Sequence, residues 1–131
     1  LGGAMARALA SAGASIAICD IRNAQEAAQA LSSEGCDAAG FTCDVMDRLS
    51  CAKMAEEVLR RWSRVDVLLN TAGGNVKEAT TSAETPFFDL PLPAIEKTVA
   101  LNLYGGAMIP AMVLGREMVK NPGGGSIINV S

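Results

Sequence analysis

The 131-residue sequence contains no histidine, and none of its four cysteines falls in a C-x-x-C pair. Without an imidazole, no Ser-His-Asp or Cys-His nucleophile can be assembled within these residues. Cys19, Cys36, Cys43 and Cys51 lack the clustered spacing of a zinc site, so no metal is expected. Cys19 and Cys43 lie inside apolar stretches, where free cysteine acts as a small hydrophobe, and all four are expected to be structural. Lys and Arg total 11 against 14 Asp and Glu, a net charge of −3 with no basic block. The electrostatic footprint of a nucleic-acid binder is therefore missing. No uninterrupted apolar run approaches the ~20 residues that cross a bilayer. Residue 1 is Leu, and no charged segment, apolar stretch and cleavage site follow it, so no signal peptide is expected. Together these absences lead us to expect a soluble, cytoplasmic protein with neither nucleic-acid nor membrane partners.

What is present is core-forming material, since half the residues are hydrophobic. The length suits one domain or part of one. Residues 4–12 are small and helix-favouring, with Met5, Ala8, Leu9 and Ala12 on one face and Gly13 as the stop. Residues 15–19 form an apolar strand ending at Asp20. Asn23 with Glu26 has the pattern of a capping box for a helix that turns Ala27, Ala30 and Leu31 inward and ends near Gly35. A strand at 38–43 is closed by Asp44-Val45. Asp47 then caps a helix with Cys51, Ala55, Val58 and Trp62 in one stripe. Its Lys53, Glu56, Glu57, Arg60 and Arg61 form a solvated outer face. A strand at 65–69 precedes an irregular stretch, 74–92, where Pro86, Pro91 and Pro93 argue against regular structure. A long helix over about 94–119 follows, interrupted by Gly105-Gly106 and expected to kink at Pro110, which lacks the interior N–H. Gly123-Gly124-Gly125 leads into a last strand at 126–130. Strands alternating with helices, and apolar throughout, indicate an α/β fold with a parallel sheet covered on both faces.

The candidate chemistry lies at strand ends. Asn70-Thr71-Ala72-Gly73 follows the 65–69 strand directly, and small residues there bring bare backbone to the carboxyl edge of the sheet, where a flat cofactor can lie. Leu1 and Gly2 stand at the mouth of the first helix. A Gly there lets backbone approach a pyrophosphate at the positive end of the helix, although Gly before an Ala-rich helix also serves tight packing. Asp20 follows at about the ~20-residue interval of the acid that binds an adenosine ribose. A carboxylate there accepts from both ribose hydroxyls and repels a 2′-phosphate, which favours NAD(H) over NADP(H), with Arg22 as a nearby cation that softens the preference. Asp44 can accept from an adenine amino group while Val45 packs on the ring, or it can simply start the turn toward Asp47.

The ordered set formed by a Gly-opened helix, Asp20, Cys43-Asp44-Val45, Asn70-Thr71-Ala72-Gly73, Leu101-Asn102-Leu103 and Gly125-Ser126-Ile127-Ile128-Asn129-Val130-Ser131 resembles the short-chain dehydrogenase/reductase family over essentially the whole chain. The resemblance implies a Rossmann-type doubly wound parallel sheet. It assigns cofactor contacts to Leu1, Gly2, Asp20, Asp44, Val45, Asn70, Ala72 and Gly73. It gives Asn102 a catalytic part, with its backbone kinking the long helix and holding a water in a proton relay. It implies hydride transfer between NAD(H) and a small alcohol or ketone, and a homo-oligomer, tetramer or dimer, packed through the long helix with Ala107 and Ala111 permitting close approach. The stretch from Asn70 through Glu78-Ala79-Thr80-Thr81 to Phe87-Phe88-Asp89-Leu90 resembles a subgroup acting on sugar acids, that of D-mannonate oxidoreductase (fructuronate reductase).

Relative to that pattern, the first strand and most of the glycine turn are missing, and Ser131 matches only the first Ser of an N-[IV]-S-S sequence. The Tyr-x-x-x-Lys pair is absent, and Tyr104 has Met108 four residues on, so it cannot substitute. Residues 1–131 are thus expected to be one partial NAD(P)-binding domain of a longer gene product, of about 250–280 residues, and inactive alone. The missing strand would lie between the 15–19 and 65–69 strands and leave two apolar edges uncovered. Two alternatives share parts of the pattern: a domain holding S-adenosylmethionine for methyl transfer, and a non-catalytic nucleotide-binding remnant.

Overall fold

Short apolar strands alternate with helices along the chain in a computed structural model that describes residues 1–130. Helix α1 (Gly2–Ser11) leads to strand β1 (Ile16–Asp20), helix α2 (Ala24–Ser33), strand β2 (Ala38–Thr42), helix α3 (Arg48–Trp62) and strand β3 (Val67–Asn70). Residues 74–91 are irregular apart from two single 3-10 turns, Lys77–Ala79 and Phe87–Asp89, while Pro93, expected to oppose regular structure, falls in the first turn of the helix that follows, where a proline is tolerated. A long helix then runs through α4 (Leu92–Val99), a π-helical segment (Ala100–Met108) and α5 (Ile109–Met118) before strand β4 (Ser126–Asn129).

Both strand pairs are parallel. β1 pairs with β2 in the register Ile16↔Ala38 to Asp20↔Thr42, and β3 pairs with β4 in the register Val67↔Ser126 to Asn70↔Asn129. The two pairs are not hydrogen-bonded to each other among the described residues, as expected of an incomplete doubly wound sheet. Phe41, Cys43, Leu68, Leu114 and Met118 join Cys51, Met54, Ala55 and Val58 of α3 in the larger core, while Ala6, Ile16 and Leu31 form a smaller one under α1 and α2. Ala17 and Cys19 of β1 pack on the larger core and Ile16 and Ile18 on the smaller one, so β1 is covered on both sides, whereas β4 is exposed along its whole length, contrary to the expectation of a sheet covered on both faces.

Helix rotation departs from the sequence expectation in two places. Ala6 is buried in α1 where Ala8 and Ala12 are exposed, and Ala24 and Ala28 flank Leu31 in α2 where Ala27 and Ala30 are exposed. Alanine-rich helices carry little contrast between faces, so their rotation is decided by contact with the sheet. For α2 that contact is Gly40: a Cβ there would lie 2.4 Å from the carbonyl carbon and oxygen of Ala24. The capping box also does not form. The Asn23 side chain makes no cap bond, and Asp20 takes the local N–H groups instead. Asp47 does cap α3, accepting from the Leu49 N–H at 2.9 Å.

The irregularity expected at Pro110 begins earlier. The helix widens to π geometry from Ala100, with the Ile109 N–H bonded to the Tyr104 carbonyl five residues back. Pro110 is the second residue of α5, just past the point where π geometry returns to α. Leu92–Met118 is also, by length and composition, long and apolar enough to cross a bilayer, contrary to the expectation from uninterrupted runs. Ala94, Gly105, Gly106, Pro110, Leu114 and Met118 are nevertheless buried against the rest of the chain.

The amino end of the β1–β2 pair is closed by Asp37. Its carboxylate accepts from Ser15 Oγ at 2.7 Å, Arg61 Nη2 at 2.9 Å and Trp62 Nε1 at 2.6 Å. The Arg61 guanidinium lies 4.9 Å from the Trp62 ring centre, and Phe41 meets that ring edge-on. The Ser15 hydroxyl first, then Arg61 and the Trp62 indole, hold the Asp37 carboxyl down to about 2.

Two predictions follow from these contacts. Because the Asp37 carboxyl is depressed in the folded state, its contribution to stability is present above the ordinary aspartate value of about 3.9 and is lost as pH falls toward 2. Urea titrations across that range should show Asp37→Asn flattening the acid-side loss of stability seen in the parent protein. Gly40→Ala should lower the unfolding free energy by about 1–3 kcal/mol, the usual cost of overpacking, read as a lower denaturation midpoint at unchanged slope.

Candidate cofactor and catalytic site

β3 ends at Asn70, a polar side chain only 5% exposed. Its Nδ2 donates to Asn129 Oδ1 at 2.9 Å and to the Ala107 carbonyl at 3.4 Å, tying β4 and the π segment to the end of the strand. The next residues are held by close approach. A Cβ on Gly2 would lie 2.7 Å from Thr71 Oγ1, and one on Gly106 would lie 2.6 Å from the Ala72 carbonyl oxygen. A Cβ on Gly73 would lie 2.5 Å from Asn102 Oδ1. The turn is thus wedged between the amino end of α1 and the π segment.

Asn102 uses its whole carboxamide on that wedge. Oδ1 accepts from the Gly74 N–H at 3.0 Å, and Nδ2 donates to the carbonyls of Gly74 and Thr98, both at 2.9 Å. Any further polar work by this residue therefore falls to its backbone, in a π segment where carbonyls are offset from the regular ladder. Val45 and Met46 reach the other side of the segment. A Cβ on Gly105 would lie 3.2 Å from Val45 Cγ2 and 2.6 Å from Met46 Sδ.

The two acids stand at the carboxyl ends of β1 and β2. Asp20 Oδ1 accepts from the N–H groups of Arg22 at 2.8 Å and Asn23 at 3.0 Å. These two donors, Asn23 before Arg22, hold its carboxyl below the ordinary aspartate range. The side chain is therefore ionised at neutral pH and fixed in orientation, and Oδ2 has no hydrogen-bond partner among the described residues. Asp44 Oδ1 accepts from the Met46 N–H at 2.9 Å, and the Asp44 N–H donates to Ser50 Oγ at 3.0 Å. The carboxylate thus does start the turn toward Asp47, one of the two roles open to it from sequence. Leu1 is largely exposed, and its carbonyl accepts from the Ala4 and Met5 N–H groups to open α1.

Gly2, Val45, Asn70, Ala72, Gly73 and Asn102 are therefore linked by contacts through the π segment and the β3 turn. Leu1, Asp20 and Asp44 make no side-chain hydrogen bond to that cluster among the described residues; Leu1 opens α1, and Asp20 and Asp44 stand at and just beyond the carboxyl ends of β1 and β2. Ser131 lies outside the described residues. Thr71 and Asn129 had no functional reading of their own. The part of Thr71 depends on Gly2 arriving from 69 residues away in the chain, and only the β3–β4 register sets Asn129 beside Asn70. The cysteines take no part. Cys43 and Cys51 are buried with sulfurs 3.8 Å apart, and burial pushes the Cys51 and Cys19 thiols up to about 12.

This geometry suits a dinucleotide. The first turn of α1 presents Gly3 to open space, and a side chain at Gly2 or Gly73 would close the contacts on which the turn depends. An ionised carboxylate with one unused oxygen, Asp20, stands at the carboxyl end of β1. Beside Asn102 an open cleft of about 770 Å³ is lined by Gly74, Asn75, Thr98, Val99, Asn102 and Leu103.

The D-threitol dehydrogenase of Mycolicibacterium smegmatis is 36% identical over 135 residues, which cover all of this chain and 48% of that protein. The uncharacterized oxidoreductase UxuB of Bacillus subtilis is 35% identical over 140 residues, covering 98% of this chain and 49% of that protein. An NAD-bound structure from Haemophilus influenza, of a candidate D-mannonate oxidoreductase, superposes with a TM-score of 0.83 at 26% identity, covering 96% of this chain and 49% of that one. The chain spans about half the length of the curated relatives it matches. The family model described as short chain dehydrogenase matches residues 1–131, and the chain belongs to that family.

Proposed function

We propose that this protein is an NAD(H)-preferring oxidoreductase that interconverts an alcohol and a ketone on a small polar substrate, a sugar acid or a related polyol. The observation that carries this is the β3 turn, whose bare backbone is wedged between the amino end of α1 and the π segment. Such an edge accepts a dinucleotide lying flat across strand ends. Bound NAD(H) supplies the hydride acceptor or donor. Gly2 and the first turn of α1 receive the pyrophosphate, Asp20 the adenosine ribose, Asp44 and Val45 the adenine, and Asn70, Ala72 and Gly73 the wall beside the nicotinamide half. Asn102 pins Gly74 through its side chain and leaves its backbone to orient a water in a proton relay.

Within these residues Asn102 is the one member of the catalytic set. The stretch by itself is therefore expected to hold cofactor-site residues without turnover, as one partial NAD(P)-binding domain. Membership of a dehydrogenase family and likeness to a D-threitol dehydrogenase support the alcohol–ketone reading. The methyltransferase alternative receives no support from them. Tyr104, Met108 and Met112 are exposed along the long helix, which supports a homo-oligomer packed through that helix with Ala107 and Ala111 allowing close approach. A cytoplasmic location accords with this reading.

Cofactor choice tests it. Asp20→Asn keeps the Oδ1 acceptor for Arg22 and Asn23 while removing the charge. Fluorescence titration with both dinucleotides should show NADH binding weakened about 10-fold and NADPH binding strengthened, in keeping with a hydrogen bond to a charged group worth about 1.5–3 kcal/mol. An unchanged NADH-to-NADPH ratio would remove Asp20 from the ribose site.

A further inference from the structure

Both backbone polar groups of Asp44 are bonded within the turn that joins β2 to α3. Its N–H donates to Ser50 Oγ at 3.0 Å. Its carbonyl accepts from the Asp47 N–H at 3.1 Å and from the Cys51 thiol at 3.7 Å. With the amide and the carbonyl both held, φ and ψ of Asp44 are set, and with them the direction in which its side chain leaves the turn. The carboxylate itself gives Oδ1 to the Met46 N–H at 2.9 Å, which leaves Oδ2 for a ligand. On the amino side, the Cys43 N–H donates to the Asp20 carbonyl at 3.1 Å and continues the β1–β2 ladder. On the carboxyl side, Val45 and Met46 lie against Gly105 of the π segment. Ser50 is half-buried in the first turn of α3. Its hydroxyl makes the one strong side-chain bond to the Asp44 backbone, since the Cys51 thiol is a weak donor.

We propose that Ser50 is a positioning residue for adenine recognition. By holding the Asp44 amide it aims the Asp44 carboxylate at the exocyclic amino group of the base, and so sets the preference for adenine over a base without that group. This rests on the dinucleotide reading above and extends it to a side chain that acts through Asp44. A carboxylate accepts from the amino group of adenine, whereas hypoxanthine presents a carbonyl oxygen there, an acceptor against an acceptor. Hydrogen bonds weaken steeply with angle. An Asp44 freed to rotate therefore loses its discrimination between bases, while Val45 still packs on the ring. A group that reads a ligand is only as selective as the neighbours that fix it.

The experiment compares the full-length protein with its Ser50→Ala, Ser50→Thr and Ser50→Val variants. Fluorescence titrations measure the Kd of NADH, of its analogue with hypoxanthine in place of adenine, and of NADPH. The parent should bind NADH at least about 10-fold more tightly than the hypoxanthine analogue. Ser50→Ala should lower that ratio by about threefold or more, chiefly by weakening NADH. Ser50→Thr keeps the hydroxyl and should hold the ratio within about twofold of the parent. Ser50→Val matches threonine in size without the hydroxyl and should behave as Ser50→Ala, so the Thr–Val pair carries the comparison if Ser50→Ala folds poorly. The NADH-to-NADPH ratio, set at the Asp20 end, should stay unchanged throughout. An undiminished adenine preference in Ser50→Ala or Ser50→Val overturns the proposal, as does a parent that binds both analogues equally or a threonine variant that behaves as valine. A joint loss of the adenine and NADH-over-NADPH preferences assigns Ser50 to general structure and also overturns it. Failure of the parent to bind NADH is the separate result that defeats the dinucleotide reading itself.

Discussion

The buried carboxamide of Asn70 is the interaction on which the rest of the arrangement depends. It sits at the end of β3 and joins the two elements that must meet there, β4 through Asn129 and the π segment through the Ala107 carbonyl. An amide removed from water without partners costs about 1–3 kcal/mol, so these bonds select one relative placement of strand and helix. Among the described residues no buried side-chain nitrogen or oxygen is left without a partner. With that placement set, Gly106 lies against the Ala72 carbonyl, Gly105 against Val45 and Met46, and Gly73 against Asn102. Each of these contacts leaves no room for a Cβ.

The π segment reconciles two demands on one helix. The buried side must carry Gly105 and Gly106 so that backbone can approach backbone, while Asn102 must reach Gly74 and Thr98 with both ends of its carboxamide. Widening the turn over Ala100–Met108 accommodates both and restores α geometry at Pro110. π segments recur at functional sites because they reposition single residues in this way. Asn102, to which the resemblance gives a catalytic part, lies within these nine residues.

Several features were legible along the chain. The alternation of elements, the α/β class and the Asp47 cap could be read locally, because each depends on neighbours within a few residues. The irregular 74–91 stretch was likewise marked by its prolines. The capping-box pattern at Asn23 does not form because a competing acceptor, Asp20, takes the Arg22 and Asn23 N–H groups from the end of β1. The buried faces of α1 and α2 were misread because alanine looks alike on every side of a helix. Rotation was settled only where Gly40 meets Ala24.

The sequence by itself determined the order of the elements, the small residues after β3, the acids at the ends of β1 and β2, and the family to which these belong. All of them are encoded in local composition and short spacing. Tertiary structure alone decided which of these residues share one surface. Thr71 meets Gly2, Asn129 meets Asn70, and Asn102 pins Gly74 across 28 residues of chain. Such pairings follow from strand register and from the depth at which helices settle on the sheet. Both are set by summed packing over distant segments, which no local pattern specifies.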